Sequence, residues 1–167
     1  MNVKVLILMG SDSDLPMMKP AVDMLNKFEI PFEITVSSAH RSPVRTKSLI
    51  RAAEEGDVQV IIAAAGGAAH LAGVVAAETI LPVVGVPIDS STLDGLDALL
   101  STVQMPPGIP VATMGIGKWG ATNAGILAAQ LIALNDDDMK ERLKQHKIGM
   151  AKGVEAKAAR LKEKLQE

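Results

Sequence analysis

The chain has 167 residues, 17 Lys and Arg against 19 Asp and Glu, a net charge of −2 and no cysteine. That length suits one domain burying its own core, and the lack of cysteine excludes a disulfide framework, thiolate catalysis and cysteine-ligated zinc. Residues 1–135 carry net −4 and residues 136–167 net +2, and Phe28, Phe32 and Trp119 are the only Phe, Trp or Tyr, so neither a basic nor a stacking surface for nucleic acid is present.

Residues 3–9 (VKVLILM) form a near-continuous aliphatic run of the kind that marks a strand covered on both faces. The polar segment Gly10-Ser11-Asp12-Ser13-Asp14 follows, and residues 14–28 recur at helical spacing through Met17, Met18, Ala21, Val22 and Leu25. Residues 32–37 (FEITVS) alternate more, as a strand near the sheet edge does. Ser37-Ser38-Ala39-His40-Arg41 leads into a helix over 43–55 with Val44, Leu49 and Ile50 on one side. Residues 58–64 (VQVIIAA) read as a third strand ending near Gly66-Gly67-Ala68-Ala69-His70, followed by a helix over 69–79. Residues 81–86 (LPVVGV) are a fourth strand, 93–103 a helix and 110–114 (PVATM) a short fifth strand. The order strand, helix, strand, helix implies a parallel sheet with helices on both faces.

Residues 121–134 (ATNAGILAAQLIAL) are small or aliphatic nearly all round and are expected to be buried, partly between molecules. From Asp136 the chain becomes charged, with Met139, Leu143, Met150, Val154, Ala158, Leu161 and Leu165 at helical spacings. This long terminal helix is expected to lie solvated over the domain, the other reading being that it reaches a neighbouring subunit. One domain over 1–167 results, an α/β core (1–135) with a helical extension (136–167). The apolar stretches at 58–65 and 71–77 fall short of the roughly 20 residues a membrane span needs. No basic leader with a cleavage site opens the chain, so a soluble cytoplasmic protein is expected.

Three polar segments each follow a strand, and parallel strands deliver their carboxyl ends to one crevice. Ser11, Ser13 and Asp14 offer two hydroxyls and a carboxylate beside a helix start, where free N–H groups and the helix dipole favour anions. Asp14 with Pro16, and Ser42 with Pro43, are candidate helix caps. Arg41 can grip a phosphate by paired hydrogen bonds. His40 beside it can exchange a proton near neutrality, since a free imidazole titrates near ~6.5. Gly66 and Gly67 allow backbone to approach a ligand closely, and His70 falls at the next helix start. An enzyme acting on a small phosphorylated molecule follows from this set.

Gly115-Ile116-Gly117-Lys118-Trp119-Gly120 spells a dinucleotide-binding fingerprint, but no strand with an acidic residue follows at the required distance. Nicotinamide or flavin binding is therefore not expected there. No G-x-S-x-G elbow, H-E-x-x-H pair or nucleotide-triphosphate P-loop occurs.

Taken in order, GSDSD, SSAHRSP, AAAGGAAHLAG, LPVVGVP and GLDALLSTVQMPPGIPVAT resemble the PurE family, in particular the bacterial-type (class I) N5-carboxyaminoimidazole ribonucleotide mutases of purine biosynthesis, over residues 3 to about 134. The resemblance implies a three-layer α/β/α sandwich with a parallel flavodoxin-like or Rossmann-like sheet. It implies His40 as general acid and base, Ser11 and Asp14 on the ribose-phosphate, Arg41 on phosphate, and a glycine-rich loop with His70 and Leu71 closing over the imidazole and its carboxylate. Ser13, Ser38, Gly66, Gly67 and Ala68 complete the expected substrate site. No metal, biotin or ATP is implied. A homo-octamer is, and so is functional coupling to the ATP-dependent synthetase of the carbamate substrate. Ala72, where many relatives have proline, and residues 115–120 depart from the common pattern and are expected to affect loop rigidity or subunit contacts. The related carboxylases that use free carbon dioxide carry a glycine-arginine-serine-asparagine pattern where Gly66 to His70 stand here. Two rivals remain: such a carboxylase, or a non-catalytic nucleotide-sensing module of the same fold.

Overall fold

The computed structural model describes residues 2–165. Five strands, β1 (Val5–Met9), β2 (Phe32–Val36), β3 (Val60–Gly66), β4 (Val83–Ile88) and β5 (Ala112–Thr113), form one sheet in the order β2-β1-β3-β4-β5. All four pairings are parallel. Six helices connect or follow them: α1 (Leu15–Lys27), α2 (Pro43–Glu55), α3 (Leu71–Ala77), α4 (Leu96–Val103), α5 (Gly117–Ile132) and α6 (Asp137–Lys164).

Every residue of β1 and β4 is buried, as the unbroken apolar runs require, and successive side chains serve opposite layers. Val5, Ile7 and Met9 pack with Met18, Ala21 and Leu25 of α1 and the alanines of α5. Leu6 and Leu8 pack with Ile50 and Ala53 of α2 and with Leu71 and Val75 of α3. β2 is the edge strand its alternation suggests, with only partial burial.

β4 runs two residues beyond the sequence expectation, through Pro87. A proline lacks the N–H a central strand needs on both sides. It is tolerated because β5 pairs only with Val84 and Gly85, leaving Pro87 paired to β3 alone.

α5 starts four residues earlier than expected and buries one stripe, Gly117, Gly120, Ala121, Ala124, Gly125, Ala128, Ala129 and Ile132, rather than its whole circumference. Gly125 is where it meets α1: a Cβ there would lie 2.9 Å from Met24 Cβ and 3.0 Å from Ala21 O. α6 lies over the domain only in its first turns, where Met139 is buried and Leu143 and His146 are half-buried. From Lys147 to Leu165 every residue is exposed, and the helical-spaced Met150, Val154, Leu161 and Leu165 stand uncovered. Among the described residues no helix is long and apolar enough to cross a membrane.

Candidate active site

The sheet order reverses between β1 and β3, so the loops after those strands leave toward opposite sides and open a crevice at their carboxyl ends. Backbone bonds continue past the strands. Gly10 N–H donates to Ala64 O at 2.9 Å and Ser37 N–H to Met9 O at 2.8 Å, which holds the three loop entrances side by side.

A cavity of about 290 Å³ lies there, lined by Ser11, Ser13, Asp14, Ser38, His40, Arg41, Gly66, His70 and Leu71 of the expected set. Gly67 and Ala68 are not on its wall. Gly67 turns the chain with φ +60° and faces open space, and Ala69 follows at φ +42°, so the loop swings outward before His70 re-enters. Gly10, Ala39, Ala65, Ala69 and Ser90 also line the cavity, outside the expected set of substrate residues. The apolar run by itself ends the fourth strand at Val86 and gives no sign of Ser90; with β4 running to Ile88, the next residues fall at the tip.

The loop after β1 is built around Asp14, which is 5% exposed. Ser11 N–H donates to Asp14 Oδ2 at 3.0 Å and Ser13 N–H to Ser11 Oγ at 3.3 Å, a reciprocal capping box over a single 3₁₀ turn. The cap is thus Ser11, and Asp14 makes no side-chain cap to α1. Burial pushes the Asp14 carboxyl above the ordinary carboxylate range, against the Ser11 N–H that lowers it, and the charge of Asp12 adds to the rise.

In the second loop Ser42 precedes α2 but does not cap it by its side chain. Its Oγ accepts from Ser38 N–H at 3.0 Å and donates to Ser38 O at 3.1 Å, closing the loop on itself. Beneath it, buried Ser37 Oγ and Thr46 Oγ1 are 2.7 Å apart and tie the end of β2 to α2. Arg41 N–H donates to Ser38 Oγ at 3.1 Å, while its guanidinium reaches back to Gly10 O at 3.3 Å and keeps its other N–H groups for an anion.

His40 and His70 arrive from different loops with His40 Nε2 2.5 Å from His70 Nδ1 and rings crossed at 79°. One proton occupies that line, so one nitrogen donates and the other accepts. His40 Nδ1 has no partner among the described residues. The pair links one imidazole that can exchange a proton with a ligand to a second that can take or return it.

Two other features lie apart from this chemistry. Gly115 to Gly120 line no part of the crevice; a Cβ on Gly120 would overlap the Gly115 carbonyl, and Gly117 has φ +67°, so these glycines serve the tight β5–α5 turn. Among the described residues α5 is followed by α6 and by no further strand. A larger cleft of about 770 Å³ separates α1 from α6 and holds Lys27, Arg142 and His146 but none of the converging loops. Lys27 Nζ sits 2.9 Å from His146 Nδ1, and burial together with that cation lowers the His146 imidazole below its ordinary value.

Known proteins are similar to this chain in sequence and fold. An N5-carboxyaminoimidazole ribonucleotide mutase of Pyrococcus horikoshii is 53% identical over 157 residues, which is 94% of this chain and 88% of that one. The phosphoribosylaminoimidazole carboxylase of Candida glabrata is 50% identical over 155 residues, 93% of this chain but 27% of the yeast protein. The crystal structure of Treponema denticola PurE superposes with a TM-score of 0.86 at 28% identity, covering 95% of this chain and 98% of that one. The family described as AIR carboxylase (AIRC) matches residues 4–153, and with the fold and the sequence in agreement the chain belongs to that family.

Proposed function

We infer that this chain is an isomerase, an N5-carboxyaminoimidazole ribonucleotide mutase, moving a carboxyl group from the exocyclic nitrogen of the ribonucleotide to ring carbon 4. Identity of 53% to a mutase across nearly the whole chain supports the activity. The observation that carries the mechanism is the meeting of His40 with His70 beside hydroxyls, a carboxylate and a guanidinium in one crevice.

Arg41 and the Ser11 loop take the phosphate and ribose, with Asp14 accepting from a sugar hydroxyl and Ser13 and Ser38, on the cavity wall, completing the substrate site. His40 then delivers a proton to the carbamate nitrogen as the nitrogen–carboxyl bond breaks and its electron pair stays on nitrogen. Carbon dioxide is left beside the electron-rich ring. The ring carbon's π pair forms the new carbon–carbon bond, the carboxyl oxygens take the charge, and His40 removes the proton from that carbon. The catalyst returns to its starting state, with His70 holding or releasing the shared proton between the two steps. Gly66, Gly67 and Ala68 with His70 and Leu71 form the loop over the ring. Confinement at high effective concentration is what converts loss of carbon dioxide into transfer.

We further propose a homo-octamer in the cytoplasm, a setting that suits a cysteine-free chain. The carbamate substrate is unstable, which favours direct supply from the ATP-dependent synthetase that makes it.

The decisive test supplies either the carbamate ribonucleotide or aminoimidazole ribonucleotide with bicarbonate, and follows ring-carbon carboxylation. The carbamate is expected to be consumed preferentially; preference for the unsubstituted ribonucleotide would make this a carboxylase. His40→Asn is expected to bind the ribonucleotide and fold normally while losing at least about a hundredfold in turnover, the low end for a general acid–base group. Near-normal turnover in that variant would remove His40 from the mechanism.

A further inference from the structure

Ser90 enters the crevice from the tip of β4, beside the glycine loop. Its side chain fills the space that a Cβ on Gly66 would occupy: such an atom would overlap Ser90 Oγ and lie 2.9 Å from Ser90 Cβ and 3.1 Å from Ile88 O. Gly66 is therefore the residue that lets the β4 hydroxyl lie directly against the end of β3.

The other hydroxyls in the crevice are already engaged. Ser13 Oγ donates to Ser11 Oγ at 2.7 Å, Ser11 Oγ donates to Asp12 at 3.2 Å, and Ser38 Oγ accepts from Arg41 N–H. Ser90 Oγ alone among them has no partner among the described residues. Its donor and its acceptor capacity are both open to a ligand.

Position along the sheet edge assigns that capacity. The groups suited to phosphate and ribose stand at the ends of β2 and β1, where Arg41 leans onto Gly10. His70 and Ser90 stand at the ends of β3 and β4, on the far side of the crevice. A substrate anchored by its phosphate therefore extends its ring and carboxyl group toward Ser90.

We propose that the Ser90 hydroxyl donates a hydrogen bond to the carboxyl group in transfer and holds it in place between leaving nitrogen and joining carbon. This rests on the mutase reading. The hydroxyl pairs with the carboxylate at both ends of the reaction and keeps the neutral carbon dioxide against the ring in between. Its loss leaves ribonucleotide binding intact and opens a leak, in which carbon dioxide escapes and aminoimidazole ribonucleotide is released.

The test uses the full chain and carbamate ribonucleotide labelled at the carboxyl carbon, in buffer continuously purged of carbon dioxide. Parent, Ser90→Ala, Ser90→Thr and Gly66→Ala are compared for label kept on the ring, unsubstituted ribonucleotide released, kcat and KM. Ser90→Ala is expected to lower kcat for ring carboxylation by about tenfold or more, the effect of one hydrogen bond to a charged group, with KM moving less than about threefold. Released ribonucleotide should rise in proportion. Ser90→Thr, which keeps the hydroxyl, should recover most of the coupling, and Gly66→Ala, which pushes the hydroxyl aside, should leak as Ser90→Ala does. Equal label retention in parent and Ser90→Ala overturns the assignment, as does a change confined to KM. A parent that forms no ring-carboxylated product overturns the functional reading itself.

Discussion

Asp14 combines two demands that oppose each other. It is buried, which disfavours its charge, yet the proposed function calls on it as an ionised acceptor beside the ribose. Its folded-state value lies above the ordinary 3.8, so the folded chain binds more protons than the unfolded chain once pH passes that value. Stability contributed by this group therefore falls as pH rises from there, and the deficit persists at neutral pH. Asn in its place still accepts the Ser11 N–H without a buried charge. Asp14→Asn is expected to match or exceed the parent's Tm at pH 7, with the advantage vanishing toward pH 4, while KM for the ribonucleotide rises about tenfold as a charge-assisted bond becomes a neutral one. A lower Tm at pH 7 would show that the carboxylate stabilises the loop.

At the scale of elements, the histidine loop is held by a buried pair of hydroxyls rather than by the Ser42 cap its sequence suggests. Serine before proline is a sound cap signal, but Ser42 spends its hydroxyl on Ser38, and Thr46 reaches down to Ser37 instead. Thr46→Val leaves Ser37 Oγ buried without a partner, which costs about 1–3 kcal/mol. It should lower the unfolding free energy read from denaturant titration by that amount and reduce turnover as His40 loses its support. Thr46→Ser should restore both, and a Val variant as stable as the parent would show that water replaces the missing hydroxyl. Helices α1 and α2 and strands β1 to β3 were legible because their periodicity is strong. β4 was displaced by two residues because Pro87 reads as a strand end, and only its one-sided pairing in the sheet makes it a strand residue.

For the whole molecule, many large apolar side chains stand exposed. Ile80 is 97% and Trp119 86% exposed, Leu96, Leu100 and Val103 are exposed at spacings that put them along one side of α4, and Leu93 is exposed in the turn before it. This surface supports the proposed assembly. Light scattering at micromolar concentration is expected to give eight times the chain mass, and Leu96→Lys with Leu100→Lys should reduce it to smaller species; a parent that scatters as a monomer would remove the octamer from this reading.

What the residues decided in advance was local: which runs are strands, which segments are helices, and that polar loops rich in Ser, His and Arg follow the strands, because periodicity and turn chemistry act over a few neighbours. That Gly67 and Ala68 stand off the crevice wall, that Ser90 joins it, and that His40 lies against His70 thirty positions away were decided by sheet order, strand register and left-handed turns. Those relations are set by packing between distant segments, and no local pattern encodes them.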